Sequence, residues 1–315
     1  MRYLVQIHLS ESCNLRCRHC YQESSGPSPL LSLDDVRKLL LEAREVMGTL
    51  GYDELRVNLT GGEPLLVPNF KEYVSLALEY ADHVMILTNG TLVDEKWVEF
   101  LRGKGLRVQI SLDGTREVHD SIRGKGAFDK AVNGIRLLSG AGIRVSVACT
   151  LHDGNYRDID GIVDVAEEAG AERIWFDRYV PCGNALPMTT EQFITAMSAI
   201  AGLQRRERIV VGMNRALQFL FGDEGVYRCS AFVKSVTVLS DKSVLPCRRM
   251  PMVLGNLGNE TLAEIYAGHG WLMDKLKNPP PACDGCGYAK RCKGGLRCLS
   301  FATCGLDGKD PNCFI

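Results

Sequence analysis

Long hydrophobic runs, extended basic tracts, internal repeats and low-complexity segments are all missing from this 315-residue sequence. Without an apolar run of bilayer length, no membrane-spanning helix is predicted. The 37 Lys and Arg residues are balanced by 38 Asp and Glu residues, and this balance argues against nucleic acid as the main partner. The N-terminal stretch MRYLVQIHLS has neither the long apolar core nor the small-residue cleavage site of a signal peptide, so a cytoplasmic location is predicted.

Cysteine, by contrast, is abundant, with 13 residues. In the cytosol thiols stay reduced, so metal binding explains them better than disulfides. Three of them, Cys13, Cys17 and Cys20, lie within the stretch ESCNLRCRHCYQ (residues 11–22), and we call residues 13–20 the cysteine loop. A cubane iron–sulfur cluster takes one thiolate per iron, so three cysteines would leave one iron open to an exogenous ligand. Structural zinc is the competing interpretation, but it needs a fourth protein ligand, for which only His19 is at hand.

The chain length supports one large domain and a smaller one. Strand-like runs rich in β-branched residues lie near residues 2–9, 54–60, 83–88, 106–112, 143–150 and 172–179, and each is followed by a segment of helical period. The first helix begins with a capping-box pattern, Ser32-x-x-Asp35. Six βα units predict a parallel sheet, either a barrel or an open doubly wound sheet. No G-x-G-x-x-G follows the first strand, which disfavours a dinucleotide-binding fold.

Polar and glycine-containing segments follow the predicted strands. They are the cysteine loop, TGGEP (residues 60–64), LTNGT (87–91), SLDG (111–114) and RYVPCG (178–183). Each by itself is typical of a turn. Barrel enzymes, however, build their sites from the C-terminal ends of the strands, so these segments are predicted to meet at one mouth.

The combination C-x3-C-x2-C, an aromatic residue, GGEP, TNG and SLDG, in that order, resembles the radical S-adenosylmethionine (SAM) superfamily. The resemblance implies an α/β fold with a partial (β/α)6 TIM-like barrel over residues 1–188. It also implies that Cys13, Cys17 and Cys20 hold a 4Fe–4S cluster whose fourth iron is chelated by SAM.

The same resemblance implies a set of SAM-binding residues: Tyr21, Gly61, Gly62, Glu63, Asn89, Ser111 and Arg123. The two glycines would let the backbone approach the methionine amino group, with Glu63 supplying negative charge. Arg123 is similar to the arginine that pairs with the SAM carboxylate, a role that suits a guanidinium fork better than a lysine. By itself, Arg123 would be taken as a solvated surface arginine.

The C-terminal part contains a predicted hairpin between Cys229 and Cys247, and then six cysteines within the 31 residues that end at Cys313. It resembles the SPASM domain, which holds two auxiliary 4Fe–4S clusters, and we assign it residues 229–315 after a helical linker at 189–228. The resemblance implies distal-cluster ligands at Cys283, Cys286, Cys292 and Cys313. Zinc is the competing interpretation of C-x2-C-x5-C.

The proximal auxiliary cluster departs from the family pattern. Cys229 and Cys247 are implied ligands, but Leu296 occupies the position of a further cysteine. The cluster would then have an open iron or recruit Cys298, Cys304 or both. Sulfatase-maturating relatives carry a catalytic Asp where Arg248 stands, so oxidation to formylglycine is disfavoured.

The resemblance implies reductive cleavage of SAM, with three 4Fe–4S clusters in all, and hydrogen abstraction from a peptide or protein that is thereby crosslinked or epimerised. A flavodoxin or ferredoxin would donate electrons. Because the first strand begins at residue 2, peptide recognition is expected to need a separate protein.

The alternatives are small-molecule oxidation or decarboxylation, such as haem-pathway propionate chemistry, and a non-catalytic electron-transfer protein. Cys182, between a proline and a glycine, is the candidate catalytic thiol.

Overall fold

The structure, a computed structural model, describes residues 1–22, 28–181, 186–212, 217–222 and 229–315. The chain forms two compact units. The first consists of Met1–Asn14, Gln22–Thr88 and Ser230–Lys277. The second consists of Leu15–Tyr21, Asn89–Cys229 and Asn278–Ile315.

The described residues contain ten strands and eleven α-helices. The strands are β1 (Arg2–His8), β2 (Glu54–Thr60), β3 (His83–Thr88), β4 (Arg107–Ser111), β5 (Arg144–Leu151), β6 (Arg173–Arg178), β7 (Val210–Gly212), β8 (Ser235–Val238), β9 (Ser243–Leu245) and β10 (Gly255–Asn256). The helices are α1 (Leu33–Thr49), α2 (Phe70–Tyr80), α3 (Glu95–Leu101), α4 (Arg116–Arg123), α5 (Ala127–Gly140), α6 (Ile159–Glu168), α7 (Thr190–Leu203), α8 (Leu262–Gly268), α9 (Gly270–Lys277), α10 (Ala289–Cys292) and α11 (Arg297–Cys304). Short 3-10 turns cover Pro64–Leu66, Gln218–Phe221 and Pro281–Cys283.

The six predicted strands are confirmed as β1 to β6, with each end within one residue of its expected place. In the first unit β1 pairs in parallel with β2, and β2 with β3. In the second unit β4, β5, β6 and β7 pair in parallel in that order. The predicted parallel α/β architecture is therefore confirmed, because the intervening helices supply the crossovers that parallel strands require.

Helix α1 forms as its sequence predicts. The Ser32 side chain accepts a hydrogen bond from the Asp35 amide, and the Asp35 side chain accepts one from the Ser32 amide, which completes a capping box. The buried face of the helix consists of Val36, Leu39, Leu40, Ala43, Val46 and Met47. Their three- and four-residue spacing places them on one stripe, which packs into the core of the first unit.

The predicted C-terminal hairpin is also present, as antiparallel β8 and β9. β8 additionally pairs in parallel with β1, with Leu4 opposite Ser235, so the hairpin extends the sheet of the first unit. Next to this junction the hydroxyls of Tyr3 and Tyr266 form a hydrogen bond of 2.8 Å. The Phe232 ring stacks on the Tyr266 ring, with 4.2 Å between the ring centroids. Buried aromatic packing thus joins the hairpin to the first strand.

Among the residues that the structure describes, no helix combines the length and apolarity needed to span a lipid bilayer.

Candidate functional site

The second unit contains most of the cysteine loop, including Cys17 and Cys20, whose side chains are half-buried. The Cys20 amide donates to the Cys17 carbonyl at 3.1 Å, which closes a turn between the two thiols. The Arg18 amide donates to the carbonyl of Ile122 in α4 at 2.9 Å. The loop is therefore attached by its backbone to the helix that follows the fourth strand.

Arg123, the last residue of α4, lies beside this loop. Its Nη1 is 3.9 Å from Cys17 Sγ, and its Nε donates to Asp113 Oδ2 at 2.6 Å. The side chain is only 9% exposed, so the alternative of a solvated surface arginine is wrong. A buried guanidinium next to a thiol provides a positive charge where a thiolate or a ligand carboxylate would be stabilised.

The carboxylate that holds Arg123 was not singled out by the sequence. Asp113 follows β4 and is fully buried. It also accepts a hydrogen bond from His19 Nε2 at 2.8 Å, and His19 lies between Cys17 and Cys20 in the chain. Burial by itself raises the pKa of the Asp113 carboxyl, but Arg123 and His19 outweigh burial and hold that pKa well below its ordinary value.

In the first unit, GGEP packs against the segment that leads to Cys13. The Gly62 amide donates to the Ser10 carbonyl at 2.8 Å, and the Glu63 amide donates to the Ser12 carbonyl at 2.9 Å. A Cβ at Gly62 would overlap the Ser12 carbonyl oxygen, so glycine is required there for close backbone approach. Gly62 is therefore needed for packing against the backbone of residues 10–12, whereas the sequence suggested only an approach to the methionine amino group.

Glu63 is almost fully buried at 1% exposure. Its Oε1 accepts hydrogen bonds from Thr88 Oγ1 at 2.6 Å and from the Leu65 amide at 3.1 Å. The carboxylate is thereby held at the end of β2, where the sequence predicts a contact with the amino group of SAM. That contact stays a prediction.

Three other predicted SAM-binding residues belong to the second unit. Ser111 ends β4, and Tyr21 ends the chain segment that contains Cys17 and Cys20. Asn89 is buried, and its Oδ1 accepts hydrogen bonds from the Thr91 amide at 2.9 Å and the Thr91 hydroxyl at 2.7 Å. These bonds give Asn89 a turn-forming role, and its contribution to a nucleoside pocket stays a prediction.

The cysteines predicted to hold the distal auxiliary cluster come together in the second unit. A small cavity of about 20 Å³ is lined by all four of them: Cys283, Cys286, Cys292 and Cys313. Burial, followed by Asp310 and Cys313, raises the pKa of the Cys292 thiol to about 11. A ligand with strong positive charge is needed to hold such a thiol deprotonated, and iron supplies that charge.

The side chains that line this cavity are not arranged around a single metal ion. Within the described ranges, no three His, Cys, Asp or Glu side chains converge on the position of one metal ion. Zinc binds thiolates at about 2.3 Å and so needs ligands that converge on one point. Thiols that surround a cavity instead fit a cubane, in which each thiolate binds a different iron.

A buried ion pair holds the distal cavity to the end of β6. Arg178 Nη2 donates to Asp310 Oδ2 at 2.6 Å and its Nη1 donates to Asp310 Oδ1 at 2.9 Å. Both side chains are almost fully buried, at 2% and 1% exposure. Asp310 lines the cavity, and its carbonyl accepts a hydrogen bond from the Cys313 amide at 2.9 Å. The pair therefore links a strand end to a predicted cluster ligand.

The thiols proposed for the proximal cluster have different surroundings. Cys298 is buried within α11, and Cys304 is exposed at the end of that helix. Arg297, at 1% exposure, has its pKa lowered by burial, an effect opposed by the nearby thiols of Cys229, Cys283 and, more weakly, Cys304. A buried cation thus interacts electrostatically with thiols of both predicted clusters, a feature that the sequence did not indicate. Cys247 belongs to the first unit.

Two cysteines, Cys149 and Cys182, have no predicted role as cluster ligands. Cys149 is fully buried, and its Sγ lies 3.9 Å from Asn155 Nδ2. Burial raises the pKa of this thiol well above its ordinary value, as expected of a core residue. Cys182 lies outside the described residues, and its catalytic role stays a prediction.

Comparison with family models gives two matches. The model described as the Radical SAM superfamily matches residues 7–166, and the SPASM model, described as an iron-sulfur cluster-binding domain, matches residues 229–287.

Several curated proteins are similar to the chain. The Fe-coproporphyrin III synthase of Methanosarcina barkeri is 34% identical over 192 residues, which are 60% of this chain and 47% of that protein. The chain therefore spans about half the length of that relative. The AdoMet-dependent heme synthase of the same organism is 27% identical over 96% of this chain and 93% of its own length. The mycofactocin maturase MftC of Mycobacterium ulcerans is 29% identical over 97% of this chain and 86% of its own length.

Solved structures support the fold. Streptococcus suis SuiB bound to S-adenosylmethionine matches all of this chain and 78% of its own, with a TM-score of 0.80 and 18% identity. The same protein bound to its precursor peptide SuiA matches with a TM-score of 0.78 and 17% identity. At such identity the likeness concerns the fold, and it confirms the predicted α/β architecture.

Proposed function

The chain belongs to the radical SAM superfamily and contains a SPASM domain, and from this we propose that it cleaves SAM reductively and abstracts hydrogen from a peptide substrate. The reduced cluster and SAM, when bound, supply a 5'-deoxyadenosyl radical. In this proposal Cys13, Cys17 and Cys20 hold the SAM-binding cluster. The other SAM contacts are those assigned from the sequence, with Arg123 facing the carboxylate.

The observation that carries the proposal is the burial of Arg123 beside Cys17. A protein that only transfers electrons needs no guanidinium directed at its cluster loop, whereas an enzyme that binds a carboxylate there does. The half-buried Cys17 and Cys20 thiols fit the same purpose, because a cluster ligand must be shielded but reachable.

A peptide substrate is supported by the relatives. MftC is named a maturase, and SuiB has been captured with a precursor peptide. We propose crosslinking or epimerisation of a ribosomally made peptide in the cytoplasm, with a flavodoxin or ferredoxin as electron donor and a separate protein for peptide recognition. Three 4Fe–4S clusters are proposed, with Cys229 and Cys247 as ligands of the proximal one, which either keeps an open iron or recruits Cys298, Cys304 or both.

A second candidate is the oxidation or decarboxylation of propionate side chains on a small molecule. The observation in its favour is the match to the AdoMet-dependent heme synthase over nearly the whole length of both chains. Incubation with iron coproporphyrin separates the candidates, because a product that has lost carboxyl groups would support this second function over the first.

The proposal is tested by SAM cleavage. We expect the anaerobically reconstituted protein to form 5'-deoxyadenosine from SAM when a strong reductant is added, and to form none without it. Chromatography with mass detection measures the product. A protein that retains its iron and its reduced-cluster signal but forms no 5'-deoxyadenosine would be an electron-transfer protein.

Cys182 is proposed to return a hydrogen atom to the substrate radical, after which the electron donor and a solvent proton regenerate the thiol. In deuterated water the wild-type product is then expected to carry solvent deuterium, because the thiol hydrogen exchanges with solvent. Cys182→Ala should cleave SAM normally but form a product without that deuterium, as read by mass spectrometry.

The matched control for Cys182 is Cys149→Ala, since Cys149 is fully buried and not assigned to a cluster. It should leave the deuterium content of the product unchanged. Identical products from wild type and Cys182→Ala would leave Cys182 without a chemical role.

A further inference from the structure

Asp113 is a carboxylate near the cysteine loop that accepts hydrogen bonds from several elements. Its side chain accepts hydrogen bonds from His19 Nε2, Arg123 Nε and the Thr150 amide at 2.8, 2.6 and 2.8 Å. Its own carbonyl accepts from Asn155 Nδ2 at 2.8 Å. Side chain and backbone are therefore both held in place from several elements of the second unit.

Burial of the Asp113 carboxylate carries a free-energy cost that an ordinary apolar core contact does not have. Burying an ionised group costs several kcal/mol unless charged and polar partners compensate. Asp113 is fully buried, and two of its partners are cationic or can become so. An apolar side chain would fill the same space without that cost, so the charge is expected to serve the groups that it contacts.

Those groups are the cysteine loop and its neighbouring guanidinium. His19 is part of the loop, so the hydrogen bond from His19 fixes the turn between Cys17 and Cys20. Arg123 donates through Nε to Asp113 and presents Nη1 to Cys17 Sγ. One carboxylate thus sets both the position of the loop and the direction of the guanidinium.

We propose that Asp113 is a positioning residue that orients Arg123 and the cysteine loop for SAM binding. The inference rests on the proposed function and adds to it a residue that acts through Arg123 and His19 and not by touching SAM itself. Partners that orient metal-site groups in this way are worth about 10- to 100-fold in metal affinity or activity, and we expect an effect of the same size on SAM binding.

The experiment uses the full chain with its clusters reconstituted anaerobically. Asp113→Asn is expected to raise the Kd for SAM about 10- to 100-fold. It should correspondingly reduce the change in the electron paramagnetic resonance spectrum of the reduced cluster at SAM concentrations that just saturate wild type. Because Asp113 acts partly through Arg123, the loss of SAM affinity in the double variant with Arg123→Ala should be smaller than the sum of the two single losses. A purely structural role would instead make the two losses add.

Asp120→Asn is the matched control. Asp120 is a carboxylate of α4 that accepts hydrogen bonds from the Gly126 and Phe128 amides at 2.7 and 2.8 Å, at the start of α5. It should leave SAM affinity within about twofold of wild type, because its side-chain hydrogen bonds hold the start of α5 and not Arg123 or the cysteine loop.

If Asp113→Asn does not fold, His19→Ala keeps the test decisive, because it removes one donor and leaves the Asp113–Arg123 pair intact. It should weaken SAM binding by about tenfold. Wild-type SAM affinity and an unchanged spectrum in either variant would overturn the inference while leaving the proposed function standing. Absence of 5'-deoxyadenosine from the wild type would instead overturn the proposed function. The electron paramagnetic resonance spectra of the variants would still show whether Asp113 positions the cysteine loop.

Discussion

Replacing Cys13, Cys17 and Cys20 together by alanine is expected to abolish SAM cleavage completely. The physical reason is that a cubane without its three thiolates has no attachment to the chain, so the iron that chelates SAM is lost with it. Fully reconstituted wild type should hold about twelve irons, from three cubanes of four irons each. The triple variant should therefore lose about a third of the iron and keep the auxiliary absorbance. Iron analysis and the 5'-deoxyadenosine assay measure both effects.

Cys149→Ala serves again as control, because it removes a thiol without a proposed ligand role. It should retain all the iron and all the cleavage activity. Cleavage of SAM by the triple variant would contradict the site assignment. Tightly bound zinc in the anaerobically purified triple variant, in place of the remaining iron, would contradict the assignment of Cys283, Cys286, Cys292 and Cys313 to a cluster.

The second large effect is expected from Asp310→Asn. The substitution leaves the Arg178 guanidinium buried without its counter-charge, and breaking a buried pair in this way costs about 3–5 kcal/mol of unfolding free energy. Because Asp310 also lines the cavity of the four thiols and holds Cys313 through its backbone, the variant should bind the distal cluster less tightly. Anaerobic urea unfolding followed by circular dichroism gives the stability, and iron analysis gives the occupancy.

An exposed ion pair supplies the comparison. Arg206 Nη2 lies 2.7 Å from Asp164 Oδ1, and the Asp164 side chain is 52% exposed. Solvent screening limits such a pair to about 1 kcal/mol or less, so Asp164→Asn should shift the urea midpoint only slightly. Equal shifts of the urea midpoint in Asp310→Asn and Asp164→Asn would show that the buried pair stabilises the fold no more than the exposed pair does.

Much of the fold was predictable because its signals are local. The Ser32–Asp35 capping box and the apolar spacing after it specify α1 without help from the rest of the chain. The six β-branched runs specify β1 to β6 in the same way, since β-branched residues suit a pleated surface, and in β4 and β6 buried positions alternate with half-buried ones along the strand. The spacing of the cysteines likewise indicates a cluster loop and a cysteine-rich C-terminal region without any information on tertiary contacts.

The positioning network was not predictable, because its members are far apart in the sequence. His19 and Asp113 are separated by 94 positions, and Arg178 and Asp310 by 132. Nothing in the local pattern of SLDG distinguishes a carboxylate that orients a loop from one that forms a turn. The pairing of β8 with β1 escaped prediction for the same reason.

The sequence by itself determined the class of chemistry, through the C-x3-C-x2-C spacing and the ordered strand-end motifs, because metal ligation depends on residue type and short-range spacing. Tertiary structure alone decided that Arg123 is buried beside Cys17, that Asp113 holds it there, and that four C-terminal thiols surround one cavity. Burial and charge pairing are properties of side chains brought together by folding. They have no counterpart in the order of residues along the chain.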